Sequence, residues 1–510
     1  MMKSPVYVRY SLIVLFIQLL FFGPGLLQLN CQAEKVITIA EGYAPYSLDP
    51  HVDTNQAARN ISDSICEPLF WYDFSKKELV PNLGTTVKTL NDNTWEISLR
   101  KGVSFTNGEP FDATAVKFSI ERIKDPKLKS RLLATVRNIK EIKLIDPYTV
   151  HLITSSPTPT LPFYLTRVGM VPPKYVTEKG FVEFGKKPIG TGPFEFVRWV
   201  QDEYAEIKAN KDYWKGKAKV DRVIFRSIPE TITRMAALKT GEAHLVSNLV
   251  IEEIPSIKAN RDLDVVSIPS IRMLFIQFNM LQDSPLKDKR VRQAMNYAVD
   301  VDSIVKNILQ GYGVRLSGQL ISKEYEGHNP NIKPYPYDPA KARSLIKEAG
   351  AENYQFTLNA STGRYLRDKE IAEVVVNQLN AAGIKTKLNI MEHGALTQQL
   401  MNKKFLDLLL SGLATPPPTA DLFYGVGVRE GPFYSTYVNR EFNQAFDEAV
   451  STIEKEKRQK LLYRLGEICR DDPPAIFLHQ QVTIYGFNKR LAGFIPSPDE
   501  KIDPYLLDLK

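Results

Sequence analysis

The fold is decided by the stretch Trp95-Glu96-Ile97-Ser98-Leu99-Arg100-Lys101-Gly102-Val103-Ser104-Phe105-Thr106-Asn107-Gly108-Glu109-Pro110-Phe111-Asp112, which continues through Ala113 to Ile123. Trp95, Ile97 and Leu99 alternate with Glu96 and Ser98, the period of a half-buried strand. Asn107-Gly108 signals a tight turn. Asp112 suits a helix N-cap, because its carboxylate accepts from the free N–H groups of the first turn. Phe111 and Val116 stand at the spacing of a hydrophobic staple. Val116, Ile120 and Ile123 then mark one helical face. The residues predict a strand–turn–helix unit.

Around this stretch lie 510 residues, 43% hydrophobic and 24% charged. That composition supplies large cores, and the length predicts roughly three domains. The formal charge is +8. Lys and Arg form no clustered run, so no nucleic-acid partner is expected, only a mildly cationic, solvated surface. The N-terminus reads as an export signal over residues 1–33: Lys3 and Arg9, then an apolar run broken by Gly23-Pro24-Gly25. Cys31-Gln32-Ala33 sets small residues before a cut at Glu34. Lipid attachment at Cys31 is the rival, but Gln28 and Asn30 stand where Leu and a small residue are wanted. Cleavage removes no acid, lowering the charge from +8 to +6. A periplasmic, soluble, monomeric protein is expected, with no later segment long and apolar enough to span a membrane. It keeps Cys66 and Cys469, for which one bridge is possible and not implied.

No enzyme is expected. The six histidines show no metal-ligand spacing, so no metal or other cofactor is predicted. Ser411-Gly412-Leu413 is not a nucleophile elbow, and no nucleophile–base–acid set assembles from local motifs. The Gly190-Thr191-Gly192 run lacks what a phosphate loop needs.

The run from Trp95 to Arg122, W-x-I-x-L-R-K-G-V-x-F-x-N-G-x-P-F-x-A-x-x-V-x-F-S-I-E-R, resembles the signature stretch of family 5 of the ABC-transporter solute-binding proteins, the oligopeptide, dipeptide and nickel binders. Further segments resemble the same family: Leu48-Asp49-Pro50-His51, Gly190 to Phe194, Asn210 to Lys217, Ala236 to Ala243, Arg292 to Asp300 and the tail Gly493 to Pro498. The matches span about residues 36–498. The resemblance implies a two-lobed, three-domain α/β fold of the large periplasmic-binding type (class C), with mixed sheets covered by helices. Domain I would combine residues 34–69, 189–270 and 483–510, domain II would be the insertion 70–188, and domain III the second lobe, 271–482. The lobes would close about crossings near Pro269–Phe275 and Phe477–Thr483.

The function implied is capture of a peptide or peptide-like solute and its delivery to a membrane ABC permease with its ATPase. A metal–chelator complex, an opine or another carboxylate conjugate is the alternative ligand. A secreted hydrolase, a chaperone and a surface adhesin are the readings from other classes. Family relatives place an arginine near Arg364, whose planar fork suits a carboxylate; a surface-loop arginine is the plain alternative. They place an aspartate near Asp421 to meet a free amine, but here Thr415-Pro416-Pro417-Pro418 occupies the nearest match, and Asp421 could equally cap a helix. Thr54 and Asn55, followed by Gln56, would face the cleft. Gly412, Tyr365 and Tyr424 complete the expected ligand contacts, with Arg272 as a further anion contact. Tyr424, Phe433, Tyr434 and Tyr437 are candidates for an aromatic wall or for core packing.

Overall fold

The computed structural model describes residues 34–431 and 434–510. The expected leader, residues 1–33, and Phe433 lie outside the described residues. Lys35–Lys510 form one compact unit.

Its organising feature is a pair of long antiparallel strands, Leu263–Phe278 and Ala475–Asn488. On one side of this pair the main sheet continues through Leu408–Leu413, Phe356–Ala360 and Thr386–Ile390. On the other it continues through Leu245–Val246, Val36–Glu41, Arg222–Ser227, Tyr204–Ala209 and Phe194–Val200. Val36–Glu41 and Phe356–Ala360 are parallel to both of their neighbours, while the outer hairpin and the central pair are antiparallel. The sheet is therefore mixed, and helices cover it, as in α/β folds. Each half has its own core. Ile37, Ile39, Phe194, Val223 and Phe225 belong to one, and Ile276, Phe278, Leu358 and Val375 to the other.

The stretch from Trp95 builds a separate four-stranded sheet. Thr94–Leu99 pairs with Gly84–Asn91 and Thr149–Thr154, and Ile139–Asp146 closes the outer edge. Gly108 takes the left-handed turn (φ 86°) that a side chain disfavours. Asp112 caps the helix Ala113–Lys124, accepting from the N–H groups of Thr114 (2.8 Å) and Ala115 (3.2 Å). Trp95, Ile97, Leu99, Phe111, Val116, Ile120 and Ile123 share one core.

That helix is pinned to the segment after the first strand. Arg122 donates from Nη2 to Asp49 Oδ2 (2.6 Å) and from Nη1 to Asp49 Oδ1 (3.2 Å), with side-chain exposures of 2% and 0%. Burial, then the neighbouring Arg122, pull His51 down to about 4, so its ring is neutral at neutral pH. Its Nδ1 accepts from Arg122 Nη1 (3.0 Å) and its Nε2–H donates to the Gly169 carbonyl (2.8 Å). Leu48-Asp49-Pro50-His51 is thus a buried interior joint.

The helix Lys289–Ala298 ends before Asp300. Asp300 accepts from Ser303 N–H (3.0 Å) and starts a new short turn, followed by Ile304–Ile308. Cys66 and Cys469 are free and buried in different cores, so no bridge forms.

Removing one partner of a buried ion pair leaves the other charge uncompensated. Arg122→Ala is therefore expected to cost about 3–5 kcal/mol of folding stability, read by urea unfolding. A loss below about 1 kcal/mol would remove the pin from the account.

Candidate functional site

The Leu263–Phe278 and Ala475–Asn488 ladder is interrupted between Pro269 and Met273. An interruption of this kind bends a strand and re-aims its side chains. Ser270 keeps the backbones together, donating to the Gln481 carbonyl (3.0 Å) while its own carbonyl accepts from Gln480 Nε2 (2.7 Å). Arg272 leaves the ladder here and lines two adjoining cavities, of about 660 and 750 Å³. Volumes of this size suit a small organic ligand. Tyr43, Arg272, Arg364, Tyr365 and Glu500 line both, and so mark their junction.

Arg364 sits on a loop that its own sequence holds in shape. The Asp368 carboxylate accepts from the N–H groups of Gly363 (3.0 Å), Arg364 (3.0 Å) and Tyr365 (3.1 Å). Asp368 is the first residue of the following helix and does not hold its cap position. That helix, Asp368–Ala381, instead follows Arg367, whose left-handed backbone (φ 57°) turns the chain. The Arg364 guanidinium lies 5.1 Å from the Tyr365 ring centroid, and among the described residues no carboxylate pairs with it. Arg272 is different: it faces Glu500 at 3.8 Å. Burial opposes its charge, but Glu500, with Tyr365 and Tyr43, carries Arg272 above its ordinary value.

Tyr365 and Gly412 form a reciprocal pair. Gly412 N–H donates to the Tyr365 hydroxyl (3.0 Å), and that hydroxyl donates back to the Gly412 carbonyl (3.2 Å). A Cβ at Gly412 would stand 2.7 Å from the tyrosine ring, so only glycine admits this contact. Thr54 and Asn55 also line the smaller cavity. Asn55 is itself held, since its Oδ1 caps the helix Gln56–Ile65 through Ala58 N–H (2.9 Å) and its Nδ2 donates to Asp53 (2.9 Å).

Asp421 and Tyr424 line neither cavity. Asp421 is buried and accepts from Thr160 Oγ1 (2.7 Å) and the Tyr164 hydroxyl (3.3 Å), with Arg458 at 3.3 Å. It joins residues 160–164 to the helix Lys455–Asp471, and Thr419 holds the cap position instead. Tyr424 and Tyr437 are core residues, whereas Tyr434 reaches the cavity. Pro416 lines the cavity where relatives were expected to offer a carboxylate.

Several cavity residues were not anticipated: Tyr43, Arg59, Arg131, Arg167, His393 and Glu500. Five arginines and two carboxylates line the smaller cavity, a surplus of three positive charges. The larger has four of each and is balanced. Arg59 is matched by Asp63 (3.2 Å) and Asp499 (3.4 Å). His393 is held below its ordinary value by burial and then by Arg364. Among the described residues, no group of three His, Cys, Asp or Glu side chains is arranged to hold a metal.

The model for "Bacterial extracellular solute-binding proteins, family 5 Middle" matches residues 78–434. The chain belongs to this family. Its function is that of a solute-binding protein serving an ABC importer. The chain is 29% identical to a glutathione-binding protein, GsiB, of Pectobacterium atrosepticum, across 92% of this chain and 93% of the other. It resembles the structure of NikZ from Campylobacter jejuni in complex with Ni(L-His), with a TM-score of 0.80 and 25% identity over 93% of this chain and 100% of that one. DppA of Helicobacter pylori in complex with the peptide STSA gives a TM-score of 0.79 and 24% identity over 93% and 98%. These likenesses agree with the two-lobed periplasmic-binding-protein fold of family 5. Among the described residues, no helix is long and apolar enough to cross a membrane.

One buried carboxyl outside both cavities is titratable near neutrality. Burial, opposed by the Asn60 hydrogen bond (2.8 Å) and reinforced by Glu500, pushes Glu41 up to about 7. A carboxyl raised in the folded state is neutral and harmless at low pH, and it costs stability as pH rises from its ordinary range through about 7. Glu41→Gln, which keeps an acceptor for Asn60, should match wild type at pH 4. It should exceed wild type by on the order of 3 kcal/mol at pH 8 in denaturant unfolding. An equal offset at both pH values would contradict this.

Proposed function

We propose that this chain captures short peptides or peptide-like solutes that carry a free carboxylate, and hands them to a membrane ABC permease driven by its ATPase. The observation that carries this is the Arg364 guanidinium. It lies at the junction of the two cavities without a carboxylate of its own, on a loop fixed by Asp368. A preset planar fork is suited to a carboxylate. The glutathione named for GsiB and the peptide bound by DppA are chemically of this class.

In this reading the division into residues 34–69, 189–270 and 483–510, then 70–188, then 271–482 describes the moving parts. The lobes close where the central ladder is interrupted, near Arg272. The protein is exported, cut before Glu34 and monomeric. Ligands leave unchanged. Ser361 Oγ lies 3.3 Å from His393 Nδ1, but among the described residues Nε2 meets only Thr397 Oγ1 (3.4 Å), and Ser361 lines neither cavity. A base with no acid behind it and a hydroxyl outside the cavity do not make a hydrolase. A metal–chelator complex is the second reading, favoured by one feature: His393 lines the cavity as a single neutral donor, while the other donors would come from the chelator.

Calorimetry with glutathione and a panel of tripeptides tests the assignment. Losing one partner of a desolvated Arg–carboxylate pair costs roughly 2–5 kcal/mol, so Arg364→Ala should weaken binding about 30- to several-thousand-fold. Its melting temperature should not move, because the side chain is exposed. N-acetylation should cost less than about threefold, since Asp499 and Glu500 are engaged by Arg59 and Arg272. Unchanged affinity in Arg364→Ala would overturn the carboxylate clamp.

A further inference from the structure

Three arginines of the smaller cavity, Arg131, Arg167 and Arg364, have no carboxylate at ion-pair distance among the described residues. Of these three, Arg364 alone lines both cavities. Arg131 and Arg167 belong to the smaller one, with Arg59. Arg167 ends a short turn, Leu165–Arg167, in the segment that also carries the separate four-stranded sheet. Its Nη1 is shielded from solvent yet makes no hydrogen bond among the described residues. Such an atom forfeits its hydration without return unless something else accepts from it.

The neighbours do not supply that acceptor. Asp63 and Asp499 attract Arg167 from a distance, but both are taken by Arg59. Burial, then the like charge of Arg59, pull Arg167 down to about 9. It remains a cation at neutral pH in surroundings that penalise the charge. Arg131 adds a second cation on this wall, 5.6 Å from the Tyr46 ring centroid. Buried charges are tolerated when they are paired. A ligand entering this cavity meets a clamp at Arg364 and a separate, unsatisfied cationic wall.

We propose that Arg167, supported by Arg131, is a second carboxylate subsite, so that the preferred solute is a diacid with one carboxylate on Arg364 and one on Arg167. This rests on the reading of the site as a peptide-binding cavity and names its substrate class. A peptide meets the requirement when its terminal carboxylate is joined by an acidic side chain or a second backbone carboxylate. Hydrogen bonds from Arg167 would then form only with ligand present, which makes them a source of selectivity as well as affinity.

The test is calorimetry on the mature chain with tripeptides that differ only by Glu against Gln, the exchange being made at each position in turn. Wild type should prefer the acidic member of at least one pair by roughly 30-fold or more. In Arg167→Gln that preference should fall below about threefold, with affinity for the Gln peptide retained. Arg167→Lys, which keeps charge without the planar fork, should hold an intermediate preference at an unchanged melting temperature. Arg364→Gln should weaken both members of a pair and leave their ratio intact. A preference that survives Arg167→Gln, or no preference at any position in wild type, would overturn the diacid subsite while leaving Arg364 in place. Failure of every tripeptide to bind wild type would overturn the peptide reading, and the subsite with it.

Discussion

The antiparallel pairing of Leu263–Phe278 with Ala475–Asn488 is the constraint from which the rest of the structure follows. Backbone hydrogen bonds along two long strands carry a single sheet through both halves of the molecule, with a separate core on each side. Where the pairing lapses, between Pro269 and Met273, the chain is free to aim Arg272 into the cavities. The same lapse is where bending is least costly, because no ladder hydrogen bonds must break. Sheet continuity sets the lobes in register, and the interruption gives the proposed closure its place.

The loop that carries Arg364 links ligand and closure in one short segment. Asp368 gathers three of its N–H groups, and Leu366 packs against cores on both sides of the central pair. Arg367 forms ion pairs with Glu370 beside it and with Glu252 on the other half of the molecule. A loop seated on both halves cannot shift its arginine without disturbing those seats. In the proposed reading, a carboxylate on Arg364 therefore favours the closed arrangement through the loop's own contacts, as a ligand must if it is to shift a conformational equilibrium.

Much of this was legible in the chain because its determinants are local. The strand, turn and helix after Trp95 depend on alternation, on Asn107-Gly108 and on Asp112, each acting within a few residues. Of the expected ligand contacts, Arg364, Tyr365, Gly412, Thr54, Asn55 and Arg272 do reach a cavity. Asp421 and Tyr424 do not, because only tertiary packing reveals that Thr160, Tyr164 and Arg458 occupy the aspartate. Arg59, Arg131 and Arg167 were invisible for a related reason. Each is an ordinary basic residue in its local context, and only the fold brings them to one wall. For Arg131 and Arg167 the one available signal was a cation with no acid at helical spacing, which is too common on surfaces to single them out.

Native mass spectrometry of the protein purified from its own host tests the central claim most directly. The expected result is a monomer whose chain begins at Glu34, holding one small solute that bears a free carboxylate and is released chemically unchanged. A bound solute with no acidic group, or one returned as a cleaved product, would contradict it.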